Sequence, residues 1–381
     1  MKILLVGEYS RLHNSLKEGL EQLGHQVTII GLGDHFKNFP VDIPFHNNYQ
    51  SGISKWIKRI VFKLFKIDLF SKNIQVQFNS VKQHLKGFDI VQLINENTFN
   101  TIAEVEQTLL SYIFKHNKQV YLMSCGTDYT SVKYALDKKF KYSILTPYFE
   151  KKEPEKAFLY ALKFNTEAFK KLHQYIFKNI TGVIASDLDY HLPLLGHPKY
   201  LGVIPNPINT DILPFNPLKI TDRVIIFHGI NSSKYYKKGN DFFEAALNQI
   251  VKKYPKKVDV IAVSDLPYNQ YITSFNKAHI VLDQVYAYDQ GFNALEAMAK
   301  GKVVFTGAEQ EWLDFYNLGE DTIAINALPD VDYLVKKLEW LILNPSKIES
   351  ISKNARLFIE QHHNYIQVAK QYLNTWHTAT N

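Results

Sequence analysis

"HIVLDQVYAYDQGFNALEAMAKGKVVF", His279 to Phe305, reads as a strand, a helix and a second strand. Ile280 to Leu282 and Val303 to Phe305 are the apolar runs, and Gly301 ends the helix between them. That helix is largely apolar (Phe292, Ala294, Leu295, Ala297, Met298), yet it carries Glu296. A carboxylate buried there without a partner costs roughly several kcal/mol. Glu296 therefore either stays near water or is met by something polar.

The same alternation extends in both directions. Ile3 to Val6 forms a strand, Leu16, Leu20 and Leu23 are helically spaced, and Val27 to Ile30 forms the next strand, which together make a βαβ unit. Ile90 to Ile94, Val120 to Met123 and Gly182 to Ser186 are further strands of a parallel sheet covered on both faces. Four prolines interrupt the pattern in "VIPNPINTDILPFNPLKITD", Val203 to Asp222. After it come Val224 to Phe227, a helix from Asp241 to Val251, Val258 to Val263, the opening stretch, and Thr322 to Ile325. The reading is α/β, with two doubly wound Rossmann-like domains. Ligands in such sheets bind outside the carboxyl ends of the strands, so the loops that follow strands are the ones to inspect.

Composition narrows the class. A chain of 381 residues that is 46% hydrophobic is long enough for two globular domains. No apolar run approaches the roughly 20 residues needed to span a bilayer. The apolar start meets a polar loop too soon for a signal sequence, so a cytoplasmic protein is expected. Cys125 is the sole cysteine, which excludes an internal disulfide and a thiolate metal cluster. The net charge of +7 favours anionic partners in general: nucleic acid, phosphorylated small molecules or acidic lipid.

"FHGINSSKYYKKGNDFFEAAL", Phe227 to Leu247, follows a strand and opens a helix at Gly239-Asn240-Asp241. Gly229, Asn231, Ser232 and Ser233 offer donors, Lys238 lies just before the helix, and helix N-termini favour phosphate oxygens. The stretch is either a phosphate or diphosphate site or a solvated loop with a helix cap. It lacks the P-loop and dinucleotide fingerprints, and no H-E-x-x-H or paired-cysteine motif suggests a metal.

"AHIVLDQ" followed by "GFNALEAMAKGKVV" resembles the nucleotide-sugar segment of retaining glycosyltransferases of GT-B architecture, nearest glycosyltransferase family 4. The matching residues are Asp283, Gln284, Gly291 and Glu296 to Lys302. "GHQVTIIG", "FDIVQLIN", "CGTD", "VIASDLD", "VIPNPINTD" and Lys238-Gly239 follow in the family's order, while the tract from about Asn38 to Lys82 lies outside the resemblance. The resemblance implies two domains facing a cleft, a nucleoside diphosphate sugar as donor, and no further cofactor or metal. It also implies hexosyl transfer to a lipid-linked or glycan acceptor in cell-surface polysaccharide synthesis, without nucleic acid.

On that resemblance Glu296 accepts hydrogen bonds from the donor ribose, and Lys238 neutralises the diphosphate beside Asn231 and the Gly229 backbone. The alternative for Glu296 is a local cap or a pair with Lys300 or Lys302. The family's Glu-x7-Glu spacing lands on Tyr288, with Asp289 beside it as a substitute. In the first half the resemblance points to Ser10, after the first strand, and to Gly126 and Asp128 in a loop where Cys125 replaces the usual histidine. Asp128 either touches substrate hydroxyls or caps the following turn. Cys125 has nothing beside it in sequence to activate its thiol. These departures leave a second class of function open, a non-catalytic, membrane-associated GT-B assembly or sugar-nucleotide-binding protein.

The resemblance implies a first, acceptor-side domain over 1–204 with a membrane-proximal insertion over about 38–82, a linker over 205–222, a nucleotide-sugar domain over 223–360, and a C-terminal helix over 361–381 returning to the first domain. Within the first domain, "SKWIKRIVFKLFKIDLFSK", Ser54 to Lys72, places Ile57, Ile60, Val61 and Leu64 on one helical side and Lys55, Arg59, Lys63 and Lys66 towards the other. It is either a helix lying on the anionic inner face of a membrane or a packed helix with a solvated lysine face. A second basic and aromatic tract, Lys151 to Ile180, has aromatics at helical spacing, which suits packing better than stacking on nucleic acid.

Overall fold

Runs such as Ile3-Leu4-Leu5-Val6 are apolar on both faces of a strand, and all four side chains are fully buried. Such a strand needs layers on both sides, which the helices of parallel crossovers supply. The computed structural model describes residues 1–34, 39–49, 51–266 and 268–379. The chain divides into one unit of Met1–Lys133, Tyr160–Pro207 and Tyr365–Asn381, and another of Tyr134–Leu159 and Ile208–Asn364.

The first unit holds β1 (Lys2–Val6), β2 (Gln26–Gly31), β3 (Ile43–Pro44), β4 (Ile90–Leu93), β5 (Gln119–Ser124), β6 (Gly182–Ala185) and β7 (Tyr200–Val203). They lie in the order β3-β2-β1-β4-β5-β6-β7, and every pairing is parallel. The winding reverses between β1 and β4. The second unit holds β8 (Val224–Ile230), β9 (Val258–Ser264), β10 (Ile280–Leu282), β11 (Val303–Thr306) and β12 (Ile325–Asn326), in the parallel order β12-β11-β10-β8-β9. Its reversal lies between β8 and β10. The strand expected over Thr322 to Ile325 is two residues long and begins only at Ile325.

The helix Tyr365–Thr378 packs in the first unit. Tyr372 and Trp376 are buried, Tyr121 Oη donates to the Trp376 carbonyl at 2.9 Å, and Trp376 Nε1 donates to Gln92 Oε1 at 3.3 Å. This helix crosses the helix Leu12–Gln22 at Gly19, where a Cβ would stand 2.3 Å from the Tyr365 carbonyl oxygen and 2.9 Å from Ala369 Cβ. Thr380 and Asn381, included in the expected helix, lie outside the described residues.

Residues 134–159, read from sequence as part of an uninterrupted first domain, pack with the second unit. Lys141 N donates to Tyr288 Oη at 2.7 Å, Tyr142 Oη donates to Glu309, and Lys152 Nζ donates to Asp241 Oδ2 at 2.8 Å. The stretch expected as a linker also packs there from Ile208 onward. Ile208 N donates to the His363 carbonyl at 2.7 Å, and Arg356 Nη1 donates to the Leu213 and Ala299 carbonyls at 2.8 Å.

The basic segment is two helices rather than one. Gly52–Phe65 ends at Lys66, whose φ of 57° is left-handed, and Asp68 caps Leu69–Val81 by accepting from Ser71 N at 3.1 Å. The expected start of this region at Asn38 lies outside the described residues. No residue of Gly52–Phe65 is buried, and Trp56, Phe62, Leu64 and Phe65 are each half or more exposed. The packed-helix alternative therefore does not describe it. In the second tract Phe158, Phe164, Phe169 and Phe177 are buried, so those rings pack and are not stacking platforms. No helix among the described residues is long and apolar enough to cross a membrane.

Gly19→Ala forces a methyl group against a backbone carbonyl that cannot rotate away. It is expected to destabilise the chain by about 1–3 kcal/mol, the usual range for overpacking, read as a lower urea midpoint at unchanged slope.

Candidate functional site

In a parallel sheet every strand ends on the same edge, and a crevice opens where the winding reverses. In the second unit that point is flanked by the loops after β8 and β10. Asp283 follows β10 with its side chain almost fully buried, and Lys238 Nζ reaches it at 2.9 Å while remaining about a quarter exposed. Asn293 Nδ2 also donates to Asp283 Oδ1 at 2.9 Å, and Thr306 Oγ1 donates to Oδ2 at 3.4 Å. Tyr271 Oη donates to Asn293 Oδ1 at 3.3 Å, and its ring lies where a Cβ on Gly229 would stand.

Lys238 is held by its backbone as well as its charge. Its carbonyl accepts from Val285 N at 2.9 Å, and Gly239 follows with φ 71°, where a Cβ would stand 2.6 Å from Val285 Cβ. The helix Asn240–Lys253 starts immediately after, and Gly291 is the cap position of Phe292–Ala299. Gln284 Nε2 lies near Gly291. Asn231 is used locally: its Oδ1 accepts from Ser233 N at 3.0 Å and Ser233 Oγ at 2.6 Å. Behind Lys238, His228 is fully buried with both ring nitrogens unpartnered, and burial together with the Lys238 charge pushes it down to about 4.

Glu296 is half-buried on a helix whose Ala294, Leu295, Ala297 and Met298 are buried. Its charge acts on Lys300, whereas Lys302 is occupied elsewhere, donating to the Asn276 and Ala278 carbonyls. Tyr288 is buried with its hydroxyl accepting from Lys141 N, and Asp289 Oδ1 accepts from Gln290 N at 2.6 Å.

In the first unit the reversal is flanked by the loops after β1 and β4. Ser10 has φ 52° and donates its N–H to Asp34 Oδ2 at 2.8 Å. Gly126 has φ 71° and lies beside the Tyr9 ring. Asn95 Nδ2 ties the β4 loop to the β5 loop, donating to the Cys125 carbonyl at 2.6 Å and to that of Thr127 at 3.0 Å. Asp128 is buried, accepts from Ser124 Oγ, and takes the Ser131 N–H at 2.7 Å, which caps the helix Tyr129–Leu136. Desolvation, then the charge of Asp187, pushes the half-buried Cys125 thiol well up, which disfavours the thiolate.

Three residues of this edge went unread in the sequence. Glu8 follows β1 and is buried; burial pushes it up to about 7 against the hydrogen bonds from Asn14, and its Oε1 has no partner. Glu96 follows β4 and binds His173 Nδ1 at 2.6 Å. Their positions just past apolar strand runs were the available signal for the two glutamates. His173 carries none, because only the fold brings it to Glu96. Among the described residues no group of three or more His, Cys, Asp or Glu side chains is arranged to hold a metal ion.

Residues 231–374, which include Lys238, Asp283 and Glu296, match the family model described as glycosyl transferase-like. No curated protein matches the chain. Among solved structures, a sucrose-phosphate synthase from Thermosynechococcus elongatus is 16% identical at a TM-score of 0.62, over 99% of this chain and 98% of that one. HepE from Anabaena, in complex with UDP and glucose, is 13% identical at a TM-score of 0.60, over 99% and 100%. A putative UDP-N-acetylglucosamine 2-epimerase from Listeria monocytogenes is 11% identical at 0.53, over 98% and 94%. At these identities the likeness is one of fold. The chain is thus an α/β protein of the GT-B class, built from two Rossmann-like parallel sheets, with a glycosyl transferase-like region over residues 231–374.

Proposed function

We propose that this protein is a retaining, hexosyltransferase-like glycosyltransferase of the family 4 type. It moves a sugar from a nucleoside diphosphate donor to a lipid-linked or glycan acceptor in cell-surface polysaccharide synthesis. The observation that carries this reading is the Lys238–Asp283–Asn293 cluster at the reversal point of the second sheet, inside the glycosyl transferase-like region. Asp283 keeps the Lys238 ammonium at the head of a 14-residue helix, so a cation and a helix N-terminus act at one place.

Transfer breaks the bond between the anomeric carbon and the diphosphate oxygen, and the electron pair stays on the diphosphate. The acceptor oxygen forms the new glycosidic bond and its proton leaves to the diphosphate or to water. Charge therefore grows on the diphosphate in the transition state, where a preorganised cation stabilises it more than in the ground state. Glu296 accepts the ribose hydroxyls from its half-buried position, and Gly291, with only Gln284 Nε2 near it, leaves room for the donor. The UDP in the HepE structure supports a nucleoside diphosphate as the ligand class.

Lys238→Ala is expected to lower transfer more than it lowers nucleoside binding. Glu296→Gln should weaken donor binding or turnover by about 1.5–3 kcal/mol, the range for a charged hydrogen bond. Both are read from nucleoside diphosphate release and calorimetric binding across a donor panel. Full activity of both folded variants at all donor concentrations would sink the reading, and binding without turnover in the parent would favour a non-catalytic sugar-nucleotide-binding protein.

The exposed helix Gly52–Phe65 supports an address on the anionic inner face of a membrane. Lys55, Arg59, Lys63 and Lys66 are exposed beside Trp56, Phe62, Leu64 and Phe65, whereas Lys58 turns inward to Asp68 and the Phe70 ring. Each exposed cation near such a surface contributes about 1 kcal/mol, screened by salt. Replacing Lys55, Arg59, Lys63 and Lys66 by Gln should cut binding to anionic vesicles in co-sedimentation and slow transfer to a membrane-embedded acceptor, with a short soluble acceptor unaffected. Vesicle binding insensitive to both the substitutions and salt would refute this address.

A further inference from the structure

Tyr271 takes no part in the chemistry proposed for Lys238 and Glu296, yet a chain of hydrogen bonds runs from it to the Lys238 ammonium. Its Oη donates to Asn293 Oδ1 at 3.3 Å, Asn293 Nδ2 donates to Asp283 Oδ1 at 2.9 Å, and Lys238 Nζ donates to that same oxygen at 2.9 Å. The links come from separate elements: the helix Tyr268–Asn276, the first turn of Phe292–Ala299, and the loop after β10. All of them lie in the second unit.

The chemistry of each group fixes the direction of the chain. A carboxylate only accepts, so the Asn293 amide turns its NH2 towards Asp283 and its Oδ1 away. The group facing Oδ1 must then be a donor, and the Tyr271 hydroxyl is one. Without it the amide loses its second anchor and is held by Asp283 alone. Asn293 and Lys238 share Asp283 Oδ1, so the amide that holds this oxygen also sets where the ammonium stands. The other carboxylate oxygen has the longer contact, 3.4 Å from Thr306 Oγ1. The Asp283 side chain is 1% exposed, which keeps bulk water from taking the place of the amide.

Packing presents the hydroxyl. The Tyr271 ring stacks on Phe275 at 5.9 Å between centroids and meets Phe227 edge-on at 5.1 Å. A Cβ on Gly229 would stand 2.7 Å from Tyr271 Cε2 and 3.2 Å from its Oη. The strand β8 therefore carries a residue without a side chain where the phenol passes over it.

We propose that Tyr271 is a positioning residue for Lys238: its hydroxyl orients the Asn293 amide, which holds Asp283 Oδ1 and through it the ammonium at the head of the helix Asn240–Lys253. The proposal rests on the donor reading for the diphosphate that Lys238 meets, while the relay itself can be read without a nucleotide.

Y271F keeps the ring and removes only the hydroxyl. With the full chain and calorimetry, it should weaken UDP about threefold to tenfold, the scale of one neutral hydrogen bond, and leave uridine unchanged, because only the diphosphate meets Lys238. N293A should weaken UDP as well, and Y271F/N293A should be no weaker than N293A alone, since both substitutions break one chain. In nitrogen–proton NMR spectra recorded without nucleotide, with the signal assigned through K238R, the Lys238 ammonium protons should exchange with water faster in Y271F than in the parent.

Equal UDP affinity in the parent and Y271F, or penalties that add in the double variant, overturn the relay. Equal weakening of UDP and uridine makes Tyr271 a residue that supports the nucleoside and overturns it too. If the parent binds no UDP, the donor reading fails and the ammonium exchange decides by itself: a faster rate in Y271F supports the relay, and an unchanged rate overturns it.

Discussion

Parallel strands cannot be joined by a tight hairpin, and everything else in this molecule follows from that constraint. Each strand must be followed by a crossover that returns to the opposite end of the sheet, so all carboxyl ends collect on one edge. The loops on that edge are free of the packing that fills the faces, and at the reversal of winding two of them diverge and leave a crevice. Both sheets have one such point, between β1 and β4 and between β8 and β10. Lys238 and Asp283 flank the second; Glu8 and Glu96 flank the first.

The two edges hold their buried carboxylates differently. At the second, a buried carboxylate is satisfied from three directions, by Lys238, Asn293 and Thr306, and its role is to hold a cation in place. Leaving such a group unpaired costs several kcal/mol, so the pair is a structural anchor as well as a source of positive potential. At the first edge Glu96 is taken up in holding His173, and Asp128 in capping a helix.

Residues 134–159 add a constraint on the loop after β10. Tyr286 and Tyr288 would be costly to expose, and Lys141, Tyr142 and Lys152 close over the same loop through Tyr288 Oη, Glu309 and Asp241. Tyr288 thereby has a structural use, its hydroxyl accepting from Lys141 N.

The sequence by itself determined most of the strands and the doubly wound class, because each rests on local pattern. Apolar runs of three to seven residues mark buried parallel strands, and Lys238 is marked by its place just before a helix start, while Asp283 stands out only through the resemblance to glycosyltransferase motifs. It also marked the amphipathic segment, though not its break at Lys66, where a left-handed residue splits it into two helices. What only the tertiary structure decided are contacts between residues far apart in the chain. His173 meets Glu96 across 77 positions, Lys141 and Tyr142 meet Tyr288 and Glu309 across more than 140, and Ile208 joins the second unit through His363. Such pairings arise from burial and hydrogen-bond satisfaction over the whole unit, and no local periodicity encodes them. The exposure of Gly52–Phe65 belongs with them, since an apolar face reads the same in sequence whether or not the fold covers it.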